Sequence, residues 1–179
     1  MSSKISTMVL GLLMEGEKHG YELVKAMEER GMLRWAPASK VAVYKTLSRM
    51  EEEGCLTSWL EREGNAPEKR VYAVTAAGEQ RLQDLVYSLC ASREPLRFAS
   101  TVGLPFIQYL EKEAAIDCLE SRREYIEGQG RRLSDEVDML EGLGDDIFLE
   151  IIRHEEAAYK EEARWLKRII AKVKNDKRE

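Results

Sequence analysis

Cysteine is scarce in this chain. The three present, Cys55, Cys90 and Cys118, stand far apart and are odd in number. There is no CxxC pair, and His19 and His154 are distant from one another, so the local spacing of a zinc site is missing. No metal or other cofactor is expected. Each cysteine reads as a small packed hydrophobe, with a redox-sensing thiol as the alternative. Long apolar runs are lacking too. The stretch Met8–Met14 is broken by Gly11, and nothing approaches the ~20 residues of a membrane span. The N-terminus carries no signal-peptide pattern, so the expected location is the cytoplasm, with no membrane partner. Only 4 Pro and 12 Gly in 179 residues exclude a collagen-like or low-complexity chain and favour long helices. A positive excess is also absent. The formal charge of −5 argues against indiscriminate coating of nucleic acid, yet leaves room for a local basic footprint. Up to Gly78 acids and bases roughly balance, and the acidic surplus lies downstream.

Catalytic signatures are missing as well. No phosphate loop, Rossmann glycine pattern or nucleophile elbow occurs, and Ala158 stands where an HExxH site at His154 needs its second histidine. Pairs such as Glu155-Glu156 read as helix-surface acids. An enzyme is not expected.

What is present centres on Ala38–Gly54. Ser39 is suited to cap a helix and Gly54 to stop it, while Val43, Leu47 and Met50 fall on one face. The other faces carry Lys40, Tyr44, Lys45, Ser48 and Arg49, with no acid between Lys40 and Arg49. Such a helix is suited to a DNA groove; the alternative is a solvated helix face.

The context decides between the two. Ile5, Val9, Leu12 and Leu13 predict a first helix ending at Gly16, followed by a Gly16–Gly20 turn. Tyr21, Leu23, Val24 and Met27 predict a second helix, ending at Gly31. Leu33-Arg34-Trp35-Ala36 before Pro37 is expected to be extended, as a short edge strand. After Gly54, Leu56–Arg62 and Arg70–Val74 read as two strands, with loop chemistry at Glu63–Glu68 between them. Three helices and a basic hairpin holding Arg62, Lys69 and Arg70 make a winged helix-turn-helix. Lys40, Lys45 and Arg49 are expected to meet phosphates or base edges of double-stranded DNA, with Lys69 and Arg70 on phosphate at the wing. Ser39 and Ser48 join the same face. Tyr44 reads as a sugar or base contact, or as a packing aromatic. Tyr21 and Trp35 read as core or wing-support residues, and Trp59 as a stack under the wing.

Thr75–Glu79 caps a fourth helix running through Leu82, Leu85, Val86 and Leu89, interrupted at Arg93-Glu94-Pro95. Another element is expected from Leu96 to Leu110, broken or kinked at Pro105. Leu119, Ile126, Leu133 and Leu140 then recur every seven residues, with Gly128 and Gly130 inside the repeat. Gly142-Leu143-Gly144 makes a turn. Ile147, Ile151, Ala158, Trp165, Ile169 and Val173 are expected on one face of a last helix, ahead of the charged tail from Lys174 to Glu179. Antiparallel pairing of the two long helices leaves apolar surface that a second copy is expected to cover; packing within one chain is the alternative. Tyr159 and Trp165 are candidates for an effector pocket or for that interface. The fold class is mainly α. Residues 1–93 are expected to form the winged helix-turn-helix with its linking helix, and 94–179 a helical dimerisation domain.

The stretches His19–Leu23 (HGYEL), Val43–Gly54 (VYKTLSRMEEEG) and Lys69–Gly78 (KRVYAVTAAG) resemble, in order and spacing, the PadR family of transcriptional regulators. Glu155–Ile170 looks like the last helix of its subfamily with a long C-terminal domain. The resemblance implies a dimer, usually a repressor, on a palindromic operator, with interlocked C-terminal helices and small aromatic effectors near the interface. Carried over, Tyr44 matches the recognition-helix tyrosine, Lys69-Arg70 the basic pair before the second wing strand, and His19-Gly20-Tyr21 the turn into helix two. The chain departs from the family where many members have Gly-Ser-Ile-Tyr-Pro: here it reads Val41-Ala42-Val43-Tyr44-Lys45, so the operator sequence is not transferable. A winged-helix and coiled-coil adaptor without DNA binding is the competing reading.

Overall fold

In the computed structural model, residues 3–62, 68–95, 98, 100–142 and 146–175 are described. Residues 63–67 of the expected Glu63–Glu68 loop, the start at Leu96, Leu143-Gly144 and the tail beyond Asn175 lie outside them. The chain divides into two compact units, Met1–Pro95 and Leu96–Glu179.

The first unit is built on helices α1 (Ser3–Met14), α2 (Gly20–Glu29) and α3 (Lys40–Glu52). Strands β1 (Lys18–His19), β2 (Leu56–Glu61) and β3 (Lys69–Val74) and helix α4 (Ala76–Cys90) complete it. Its core joins Val9, Leu10, Leu12 and Leu13 of α1, Leu23 and Met27 of α2, and Val43, Leu47 and Met50 of α3, with Leu56, Tyr72 and Leu85. Each fully buried aliphatic of this kind contributes ~1.5–3 kcal/mol relative to exposure. Leu85 is the buried anchor of α4, whereas Val86, expected beside it, is 43% exposed.

The sheet is antiparallel in the order β1-β3-β2, with Leu56 opposite Val74 and Glu61 opposite Lys69. Its third strand is a correction to the sequence reading. Met32–Arg34 forms a 3-10 turn, not an edge strand. Proline restricts only Ala36, the residue directly before it. Gly31 enters the left-handed region at φ 64°, and the Trp35 N–H then donates to the Met32 carbonyl at 3.1 Å. The edge strand comes instead from inside the expected turn, where Lys18 faces Tyr72 and His19 faces Val71.

Two close approaches hold the α3–hairpin–α4 junction. Thr75 Oγ1 donates to the Gly54 carbonyl at 2.7 Å and accepts from the Gly78 N–H at 3.2 Å. A Cβ at Gly78 would lie 2.1 Å from the Cys55 carbonyl oxygen, so the backbones meet there only because the side chain is missing.

In the second unit, α5 (Ser100–Gly103) runs into a 3-10 turn, Leu104–Tyr109, with Pro105 at its start, where a missing N–H costs nothing. Helices α6 (Lys112–Leu140) and α7 (Asp146–Asn175) pack on each other. Ala115, Leu119 and Ile126 of α6 meet Ala163, Leu166, Ile170 and Val173 of α7. Gly128 and Gly130 do not break α6. Gly130 is buried, and its Cα side faces the Tyr159 Cβ at ordinary contact distance. Cross-helix ion pairs join Glu127 to Lys167 and Glu120 to Lys174, both at 3.0 Å. Hydrogen bonds from those lysines hold the two carboxyls below their ordinary pKa.

The apolar face expected for α7 is corrected too. The helix buries Ile152, Ala163, Leu166, Ile170 and Val173, while Ile147 is 75% and Ile151 41% exposed and Ala158 is exposed. Trp165 and Ile169 lie half-buried at the border. Two apolar stripes run side by side along this helix, and periodicity alone does not say which one meets α6.

Two glycine substitutions should move stability in opposite directions. Gly78→Ala should lower stability by roughly 1–3 kcal/mol or more through the backbone clash. Gly11→Ala, inside α1 with nothing within 4 Å of a new Cβ, should raise it by about 0.5–1 kcal/mol. Thermal and urea unfolding of both variants checks the contrast.

Candidate nucleic-acid interface

Helix α3 is capped as its sequence suggests: the Ser39 side chain accepts from the Ala42 N–H at 3.2 Å. Ser39 thereby satisfies a helix-end N–H of its own chain. Val43, Thr46, Leu47 and Met50 are buried, and the Thr46 hydroxyl donates to the Ala42 carbonyl at 2.8 Å. With that side fixed, Lys40, Val41, Tyr44, Lys45 and Ser48 face outward around a shallow concavity bordered by Arg49 and Glu52. No described residue forms an ion pair with Lys40 or Lys45.

Arg49 sits differently from the two lysines. Its guanidinium donates to Glu53 at 2.7 Å and to Ser6 Oγ of α1 at 3.0 Å, and its Nε is buried without a partner. These bonds tie α3 to α1, so Arg49 is engaged within the fold. Arg70 is engaged as well. Its Nη1 reaches Ser58 Oγ at 3.2 Å and Glu51 at 3.4 Å, and Ser58 itself donates to Glu51 at 2.5 Å. Glu51 belongs to the last turn of α3, so this cluster pins the hairpin to that helix. Lys69 stands over the Tyr21 ring, 5.3 Å from its centroid.

Tyr44 and the α2 start are in direct apposition. A Cβ at Gly20 would lie 2.6 Å from the Tyr44 ring, so the glycine makes room for this aromatic. Tyr44 is thus packed on one side and remains 43% exposed on the other. Tyr21 is 48% exposed and stacks on His19 with centroids 5.6 Å apart. Trp35 is half-buried, under the Arg34 guanidinium at 5.5 Å, and Trp59 is 39% exposed on β2. The structure therefore brings Lys40, Tyr44, Lys45 and Ser48 together on α3, and Lys69 and Arg70 on β3. The Tyr21 platform was legible only as the HGY turn; its contact with Lys69 depends on long-range strand pairing.

A second concavity, of about 710 Å³, lies in the Leu96–Glu179 unit. Phe98, Tyr125, Tyr159 and Trp165 form its aromatic walls, and the Arg122–Glu162 ion pair its polar edge. Tyr159 and Trp165 thus share one groove. Tyr125 and Phe98 were not picked out by the sequence pattern, because neither belongs to a buried stripe. Among the described residues no group of three or more His, Cys, Asp or Glu is placed to hold a metal, and no helix is long and apolar enough to cross a membrane.

This arrangement has counterparts among known proteins. A profile of the transcriptional regulator PadR-like family matches residues 9–84, which include α3 and the hairpin. The first unit therefore carries a PadR-like domain. That family is one of transcriptional regulators, not enzymes. Among curated relatives, the negative transcriptional regulator PadR of Bacillus subtilis is 27% identical over 114 residues, 64% of this chain and 62% of that protein. The aligned stretch thus spans less than two thirds of the relative. Among solved structures, Bacillus subtilis PadR in complex with operator DNA superposes with a TM-score of 0.77 at 22% identity, covering 94% of this chain and 98% of that one. The same protein in complex with p-coumaric acid gives 0.77 at 20%, covering 96% and 99%. The Vibrio cholerae virulence activator AphA gives 0.76 at 18%, covering 95% and 98%. At these identities the superpositions establish the PadR fold, a winged helix followed by C-terminal helices.

The different engagement of the cations gives a stability test. Arg49→Ala should lower stability by about 1 kcal/mol, mainly through the bond to Ser6, because the exposed pair with Glu53 is screened. Lys45→Ala should leave the unfolding temperature unchanged. Parallel thermal melts of the two variants distinguish these outcomes.

Proposed function

We propose that the chain binds a double-stranded operator sequence-specifically as a homodimer and acts as a repressor. The observation that carries this reading is the outward face of α3. Lys40, Tyr44, Lys45 and Ser48 are presented by a helix whose opposite side is buried, with the Lys69–Arg70 hairpin next to it. In the major groove, Lys45, Tyr44 and Ser48 reach base edges or sugars, and Lys40 meets phosphate. Ser39 adds its backbone near the helix start. Lys69 and Arg70 lie along the sugar–phosphate backbone at the wing, and Arg49 contributes field more than direct contact. The operator complex of Bacillus subtilis PadR supports this use of the fold. The negative transcriptional regulator PadR of Bacillus subtilis favours repression, whereas the Vibrio cholerae virulence activator AphA has the same fold with the opposite regulatory sign.

Residues 1–93 act in this reading as the DNA-binding domain and 94–179 as the dimerisation domain. The uncovered α7 stripe of Ile147, Ile151 and Ala158 supports pairing through the C-terminal helices. It leaves large apolar side chains in water unless another surface covers them. Tyr159 and Trp165, in their aromatic-walled groove, are the residues offered to a small aromatic effector or to the partner subunit. The p-coumaric acid complex of the Bacillus subtilis protein supports the effector class. Such a ligand regulates only if it binds the free and DNA-bound forms unequally.

A salt titration on a duplex taken from the chain's own promoter region tests DNA binding. Affinity should fall steeply with salt, and Lys45→Ala should weaken binding by roughly tenfold, within the ~1–3 kcal/mol of a base contact. Affinity that ignores both salt and Lys45 contradicts the reading. Dimerisation has its own test in sedimentation of full-length Ile151→Lys. The parent should sediment at twice the chain mass and the variant as a monomer with native helicity. A parent that sediments as a monomer rejects the homodimer.

A further inference from the structure

The start of α2 touches both the recognition helix and the hairpin, and no part of the DNA-binding reading uses it. Three contacts converge there. The Tyr44 ring of α3 occupies the space left by the absent side chain of Gly20. The Lys69 ammonium of β3 stands 5.3 Å over the face of Tyr21. His19 stacks on the same ring, at an interplanar angle of 11°. The platform is itself braced. The His19 N–H donates to the Glu22 carboxylate at 2.7 Å, the Tyr21 hydroxyl lies 3.3 Å from the same carboxylate, and His19 pairs with Val71 across the sheet. His19 Nδ1 also lies 3.4 Å from the Arg70 carbonyl oxygen.

We propose that Tyr21 is a positioning residue for DNA binding: its ring holds the Lys69 ammonium in place at the wing, in register with Tyr44 on the recognition helix. This inference rests on the DNA-binding reading above. A free lysine side chain samples many rotamers and loses that freedom when it meets a phosphate. An ammonium held over a ring face has lost part of it already, and still has N–H groups pointing away from the ring for a phosphate oxygen. The half-exposed position of Tyr21 agrees with this role. A side chain that served the core alone would be covered, and Tyr21 is 48% exposed. Because Gly20 and Tyr21 are consecutive, the element that seats the Tyr44 ring also seats the wing cation.

The test is a double-mutant cycle on the full-length chain, with a duplex selected by the parent protein from a random pool as the probe. Tyr21→Leu should weaken binding about two- to fivefold, as expected of an exposed cation–π contact. Tyr21→Phe, which keeps the ring, should bind within twofold of the parent. In a Lys69→Ala background, Tyr21→Leu should have no further effect, because the residue acts through Lys69. An equal loss from Tyr21→Leu in both backgrounds overturns the proposal, as does a Tyr21→Phe loss as large as that of Tyr21→Leu. Should Tyr21→Leu bind like a parent that itself shows salt-dependent binding, the positioning role alone fails. A parent that selects no duplex removes the DNA-binding reading and this role with it.

Discussion

Burial of one side of α3 is the constraint on which the rest of this structure depends. Val43, Thr46, Leu47 and Met50 are each no more than 1% exposed. They lock the helix against α1 and α2, so the rotation of α3 about its own axis is fixed by packing. A cation at position 40 or 45 therefore points outward because a methionine or leucine a turn away cannot. The Arg49–Ser6 bond and the Glu51–Ser58–Arg70 cluster fix the helix further, at α1 and at the hairpin. Electrostatics divides the cations in two: Arg49 and Arg70 hold the elements together, while Lys40 and Lys45, outward on α3, are the ones the proposed function assigns to DNA.

The division of labour explains how an acidic chain is compatible with the proposed site for a polyanion. At physiological salt the Debye length is about 8 Å, so the potential at α3 and β3 is set by the charges near them more than by the net charge of the chain. Within the second unit, acids and bases pair across α6 and α7, at Glu127–Lys167 and Glu120–Lys174. The hairpin interior buries one stripe of α7 and leaves the neighbouring one exposed. A lone helical hairpin has no means of covering both.

Much of this was legible in the sequence, and the parts that were not share a physical reason. The α3 cap, its buried positions, its outward cations and the two wing strands follow from local spacing and turn chemistry. These are decided by residues within one helical turn or one hairpin. Lys18–His19 became a strand only because Tyr72 and Val71, more than fifty residues later, offer it hydrogen bonds; two residues carry no period. The expected strand at Leu33–Ala36 failed because proline's constraint reaches one residue back, and Gly31 had already started a tight turn. On α7 the sequence held two apolar stripes, and choosing between them required knowing which residues α6 presents. The engagement of Arg49 and Arg70 was likewise invisible, since Ser6 and Ser58 are brought to them only by tertiary packing.

The central claim is that this packed helix presents its outward face to specific DNA as part of a two-fold assembly. Selection of bound duplexes from a random DNA pool by the full-length protein measures this most directly. The expected result is enrichment of a palindrome whose half-sites are separated by one helical turn, about 10 base pairs, or a multiple of it. A bound pool with no enriched sequence, or with single unpaired half-sites, would contradict it.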